Sequence, residues 1–136
     1  MDVFSPDQRS DIMRAVGSVD TEAEMAVRKL VHLLGYRYRL HRKDLPGRPD
    51  LAFPGRRKAI FVHGCFWHQH PGCKHAAIPA SNVEYWLRKF KRNVARDQSN
   101  VAALAEMGWA SLVIWECELR DHVHLVGHIK DFLDGL

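Results

Sequence analysis

No stretch of this 136-residue chain approaches the 18 or so apolar residues of a membrane span. Its opening, MDVFSPDQRSD, is polar and acidic, so it does not read as a signal peptide, and a cytoplasmic setting is the expectation. There are only three cysteines, an odd number, which argues against a disulfide framework and leaves metal binding or plain burial. No repeat or low-complexity tract interrupts the chain. Residues 59–73 contain no Lys, Arg, Asp or Glu, and no acid at all stands between Asp50 and Glu84. At 46% hydrophobic and 26% charged residues the chain is neither disordered nor fibrous, and its length fits one domain, 1–136.

What is abundant is histidine and segregated charge. Nine histidines are present, four of them between His63 and His75. The net charge of +4 divides into basic blocks at 28–58 and 74–96 and acidic ends at 1–27 and 97–136. Two basic blocks around an uncharged His/Cys/aromatic centre suit a polyanion such as nucleic acid; a solvated basic surface is the plain alternative.

Ser5-Pro6-Asp7-Gln8 signals a helix start, and Gly17 its end. Thr21-Glu22-Ala23-Glu24 is a capping box opening a helix with Val27, Leu30, Val31 and Leu34 on one face, stopped by Gly35. Residues 36–40, 50–53 and 58–63 form an antiparallel meander. Residues 64–80 are irregular. Ser81-Asn82-Val83-Glu84 has the spacing of another capping box. The helix it starts carries Val83, Trp86, Leu87, Phe90, Val94, Val101 and Leu104 and ends at Gly108. Residues 109–115 make a buried strand, and Val123, Val126, Ile129 and Leu133 mark a last helix. The crossover from strand 58–63 through the long helix to strand 109–115 makes those strands parallel, giving an α/β sandwich around a mixed sheet.

Cys65-x4-His70-x2-Cys73 has the spacing of a metal loop. Cys65 and Cys117 each lie just past the end of one of the two parallel strands, so both thiolates emerge at one sheet edge. Cys65, His70, Cys73 and Cys117 thus form a Cys₃His set suited to closed structural Zn²⁺, with His68 and His75 as alternative nitrogen ligands. Gly64, Pro71 and Gly72 make the segment a poor core, which weighs against three merely buried cysteines. Asp50, after Gly47-Arg48-Pro49, is a candidate Mg²⁺ ligand or simply a strand-initiating acid. With no acid on the following strand, a proton acceptor must come from elsewhere, and His63 and His68 are at hand. Glu24 either completes its capping box or reaches the metal. Phe66-Trp67 either stacks on bases or forms a satellite cluster. Trp86, Lys89 and Asn93 share one side of the long helix, where Trp86 reads as core and the other two as solvated.

Met13-Arg14-Ala15, Leu45-Pro46-Gly47-Arg48-Pro49-Asp50, His63-Gly64-Cys65-Phe66-Trp67-His68, Asn93 through Asp97, and Gly108-Trp109 through Cys117 together resemble the very-short-patch repair (Vsr) DNA mismatch endonucleases. The likeness covers roughly residues 9–120. It implies a restriction-endonuclease-like three-layer sandwich with a structural zinc site. It implies an enzyme that nicks 5′ to the thymine of a T:G mismatch left by 5-methylcytosine deamination, alongside a cytosine methyltransferase. Carried over residue by residue, Asp50 and the Val62 carbonyl would hold Mg²⁺, and His68 would be the general base. Glu24 and His63 would support the metal–water site. Cys65, His70, Cys73 and Cys117 would hold Zn²⁺. Phe66, Trp67 and Trp86 would form a wedge, Lys89 and Asn93 would contact the mispaired bases, and Met13 would press from the opposite groove. Residues 1–20 would be a DNA-contacting helix ahead of a catalytic core, 21–136. The partners implied are mismatched duplex DNA and mismatch-repair proteins, bound by a monomer. The chain departs from the pattern at Val62, where the family often has Thr, and at His70-Pro71-Gly72-Cys73, which carries one extra residue. The rival reading is a zinc-stabilised module that binds distorted DNA without cutting it.

Overall fold

The computed structural model describes residues 21–135. The helix expected from Ser5 to Gly17 and Met13 within it lie outside the described residues. The elements are α1 (Glu22–Leu33), β1 (Arg39–Leu40), β2 (Leu51–Phe53), β3 (Lys58–His63), α2 (Val83–Glu106), β4 (Ala110–Trp115) and α3 (His122–Asp134), with short 3₁₀ turns at Lys74–Ala76 and Glu116–Arg120. Strand order is β1-β2-β3-β4, with β1/β2 and β2/β3 antiparallel and β3/β4 parallel. The mixed sheet and the crossover are those the sequence implies. Among the described residues no helix is long and apolar enough to cross a membrane.

The sheet has a core on each face. Val27 and Val31 of α1 and Leu125, Ile129 and Leu133 of α3 close over Leu51, Phe53, Ile60 and Ile114 on one side. Leu104 of α2 packs with Leu45, Ala52, Ala59 and Phe61 on the other. Strand residues alternate between the two, as a period of two requires. The result is a three-layer α/β/α sandwich.

Helix ends follow backbone chemistry. The Tyr36 N–H bonds to the Val31 carbonyl and the Gly35 N–H to that of His32, a Schellman close around Gly35 at φ +92°. Gly108 at φ +82° repeats it, with Trp109 N–H on Leu104 O. That bond uses the Trp109 N–H, so β4 starts at Ala110 rather than at residue 109. β1 is shorter than the alternation over 36–40 implies. Its partner β2 has three residues and then turns at Pro54, so only Arg39 and Leu40 find ladder partners.

The capping box expected at Ser81 does not form. Asn82 is the N-cap, in the left-handed region at φ +56°, with no side-chain cap bond. A residue in that conformation cannot be the first helical residue after Ser81, so Glu84 falls out of register for a box. The apolar stripe of α2 is also less buried than its period suggests. Trp86, Phe90 and Leu104 are buried, while Val83, Leu87 and Val101 are exposed. Twenty-four residues span ~36 Å of helix, whereas six-residue strands span ~20 Å. The first half of α2 therefore overhangs the sheet and packs on the 64–80 segment.

Candidate active site

Three local structures deliver side chains to one sheet edge. Because β3 and β4 run parallel, with His63 opposite Trp115, both end there. Because β2 is antiparallel to β3, it begins there, which places Asp50 beside the end of β3. The first turn of α1, capped by Thr21 Oγ1 accepting from the Glu24 N–H at 3.2 Å, brings Glu24 to the same place. A cleft of about 1160 Å³ opens among them, lined by Glu24, Asp50, Val62, His63, His68 and Asp97 among others.

Asp50 is held by one oxygen. Its Oδ2 accepts the Val62 backbone N–H at 2.6 Å, leaving Oδ1 turned toward His41 Nε2, 4.0 Å away. Burial pushes the Asp50 carboxyl up to about 6, and the negative charge of Glu24 adds to the shift. Glu24, only 2% exposed, receives Arg28 at 2.9 Å and His41. Gly47 at φ +77° sits so close to Asn100 of α2 that a Cβ would lie 2.8 Å from its side-chain nitrogen; the loop before Asp50 is seated on α2 only because residue 47 has no side chain.

His68 lies across the cleft. Its Nδ1 donates to Asp97 Oδ2 at 2.6 Å, which orients the ring and directs Nε2 away from α2. His63 stacks on it, centroids 3.8 Å apart and planes 6° apart. His63 is buried, its Nδ1 has no hydrogen-bond partner among the described residues, and burial pushes its pKa down to about 4. It is a neutral, apolar backing for the His68 ring across the working pH range.

His63 and Asp50 impose opposite pH slopes on stability. His63 favours the fold above pH 6.5, and that contribution is lost as pH falls toward 4, because the unfolded chain takes the proton first. Asp50, raised from 3.8 to about 6, takes its proton first in the folded state and favours the fold as pH falls below 6. In buffer free of divalent ions Asp50→Asn removes the second slope alone. Between pH 7 and pH 4.5 the unfolding free energy from urea titrations then changes by about 2 kcal/mol more unfavourably in the variant than in wild type, so the variant is more acid-sensitive. Parallel pH profiles would show that Asp50 is not shifted.

The cysteine cluster lies beside this cleft. Cys65 and Cys117 each stand two residues past the register pair His63–Trp115. With His70 and Cys73 they place four ligand atoms within 4.8 Å of one another. His70 Nδ1 is 3.4 Å from Cys117 Sγ and 3.7 Å from Cys65 Sγ. Tetrahedral zinc with ordinary Zn–S and Zn–N lengths separates such atoms by ~3.6 Å, so the residues fit that ion. Burial pushes the Cys65 thiol up to about 12, and the His75 N–H lowers that of Cys73. Of the three histidines near the cysteines, His70 faces them with its ring stacked on Trp115, 4.2 Å between centroids. His68 is engaged by Asp97 and His75 by Arg120. Between His70 and Cys73 the chain makes a tight turn, with Gly72 at φ +72° and the Cys73 N–H on His70 O.

Phe66, Trp67, Trp86 and Phe90 form one aromatic cluster. Phe66 lies 5.5 Å from Trp86 and 5.1 Å from Phe90, both edge-on, and Trp67 lies 6.1 Å from Trp86. Trp86 is buried while Phe66 and Trp67 are half-exposed, so the cluster is both a satellite core and a partly open aromatic face. Lys89 Nζ stands 5.8 Å over the Trp67 ring, and Asn93 Nδ2 donates to Trp67 O at 3.0 Å. Both residues expected at the bases thus touch the Phe66-Trp67 loop.

Neither Asp97 nor His41 has a role assigned from sequence alone. Asp97 follows Asn93 by one helical turn, a spacing that hints at a shared face. His41 sits in a basic loop with no local pattern to single it out.

A carboxylate pair and an Asp-oriented histidine at one sheet edge, flanked by basic blocks, define a site of the nuclease class. Comparison with known proteins narrows the class. The family model described as DNA mismatch endonuclease Vsr matches residues 1–75. The chain is 51% identical over 133 residues to the Type II nicking enzyme V.XorIIP of Xanthomonas oryzae, covering 98% of this chain and 97% of that one. It is 42% identical over 119 residues to the DNA mismatch endonuclease Vsr of Escherichia coli, covering 88% and 76%. A Type II nicking enzyme of Neisseria meningitidis, V.NmeAIP, is 37% identical over 96% and 97%. The chain belongs to the Vsr family of DNA mismatch endonucleases.

Proposed function

We propose that this protein nicks one strand of duplex DNA 5′ to the thymine of a T:G mismatch, opening the way for short-patch repair. The observation that carries the reading is the paired arrangement of Asp50 and the Asp97-oriented His68 across one cleft. Trp67 of the aromatic cluster lines the same cleft. Incubation with labelled T:G and T:A duplexes in varied contexts tests it: a nick on the mismatched strand alone supports the reading, and binding without scission favours the non-catalytic module.

Asp50, with the neighbouring Val62 carbonyl and Glu24, would hold Mg²⁺ through oxygen donors. When bound, the ion supplies charge stabilisation to the scissile phosphate. His68 uses Nε2 to take the proton of the attacking water, while Asp97 fixes the tautomer and favours the imidazolium that forms. His63 holds the ring plane. Cys65, His70, Cys73 and Cys117 hold structural Zn²⁺. Phe66, Trp67 and Trp86 present apolar faces to the stack, and a mispaired step costs less to open than a paired one.

Arg88, Lys89, Arg92 and Arg96 line one hollow of α2 with Tyr85 and Asn93. This face, with the basic block at 28–58, grips phosphates. Affinity for a T:G duplex falls on the order of 10³-fold between 50 and 200 mM salt. A flat salt response by fluorescence anisotropy would contradict the phosphate grip.

A further inference from the structure

We propose that His41 is a nitrogen ligand in the metal site of Asp50 and Glu24, and that the site therefore takes a first-row transition ion such as Mn²⁺ in preference to Mg²⁺. This inference rests on the reading that Asp50 holds the reaction's divalent ion. Glu24, His41 and Asp50 each offer one ligand atom, and the three lie within 4.8 Å of one another. His41 Nε2 points between the two carboxylates, touching Glu24 Oε1 and lying 4.0 Å from Asp50 Oδ1. The other Asp50 oxygen is occupied by the Val62 N–H, so Oδ1 is the atom left for a cation. Glu24 is fixed by Arg28.

The backbone supports an arranged position. His41 has φ +45°, in the left-handed region, where a non-glycine residue is uncommon and costs conformational energy. In that conformation the His41 ring meets Glu24 and Asp50, while the neighbouring Lys43 and Asp44 of the same loop stay exposed. Two carboxylates and an imidazole form a mixed N/O set. Imidazole is a good ligand for first-row transition ions, whereas Mg²⁺ keeps oxygen and water. The third ligand thus separates two ions that carboxylates alone distinguish poorly.

The test uses full-length, zinc-loaded protein without DNA, with Mn²⁺ alone as the probe. Titration followed by electron paramagnetic resonance gives the affinity, and spin-echo modulation of bound Mn²⁺ reports directly coordinated ¹⁴N. Wild type is expected to show the ¹⁴N coupling, to retain it in His68→Ala and to lose it in His41→Gln. Competition should show Mn²⁺ binding on the order of tenfold tighter than Mg²⁺, a preference that His41→Gln removes. Absence of ¹⁴N coupling in wild type, or its persistence in His41→Gln, would overturn the inference while leaving Asp50 as a ligand. Unchanged Mn²⁺ binding in Asp50→Asn would overturn both.

Discussion

Cys117→Ala, or stripping of zinc by a strong chelator, is expected to lower the thermal midpoint by on the order of 10–20 °C. The reason lies in what the loop lacks. Between Gly64 and Cys73 only Cys65 is buried, and two glycines and a proline interrupt the segment. Apart from the contacts of Phe66 and Trp67 with α2, such a segment has little packing to hold it. A four-coordinate ion on Cys65, His70, Cys73 and Cys117 would tie the ends of β3 and β4 together and close the loop between them. Phe66, Trp67 and His68 all lie on the span between Cys65 and His70. Loss of the ion would therefore disorder the aromatic face and the histidine together, and nicking should disappear before the sheet unfolds. Calorimetry of wild type and variant, with zinc quantified by atomic absorption, reads both effects. A midpoint unchanged after metal removal would show that the cysteines serve only as small buried hydrophobes.

His68→Ala should lower the nicking rate by about 10²–10⁴-fold, with affinity for the mismatched duplex within about twofold of wild type. The side chain lies at the cleft, outside both core clusters, stacked on His63 and bonded to Asp97, so its loss removes the proton acceptor together with those two local contacts. Asp97→Asn separates orientation from basicity. The amide can keep a hydrogen bond to Nδ1, but it no longer stabilises a charged ring and can select the other tautomer. Single-turnover rates should fall by about tenfold or more, with binding retained. If Asp97→Asn nicked at the wild-type rate, the 2.6 Å contact would be structural only.

Much of this arrangement can be read from the chain because it follows from periodicity and caps. Lys58–His63 is bounded by a Pro-Gly turn and by Gly64, and the strand has those ends. The parallel pairing of β3 with β4 follows from the crossover, and that pairing is what puts Cys65 and Cys117 at one edge. Ser81 misled because a capping box is a spacing, while the cap depends on the φ of Asn82, which the sequence does not encode locally. Val83 and Leu87 misled because apolar period does not say where the sheet beneath a helix ends. His41 and Asp97 were illegible in their roles because each meets its partner across at least 17 residues, through tertiary placement alone.

The most direct test of the account is a strand-resolved nicking assay on a duplex carrying a single T:G pair, in parallel with Asp50→Asn and a matched T:A duplex. A single cut 5′ to the mispaired thymine, absent from the T:A duplex and lost in Asp50→Asn while that variant still binds, is the predicted result. Equal cutting of T:G and T:A duplexes, or full activity in Asp50→Asn, would contradict it.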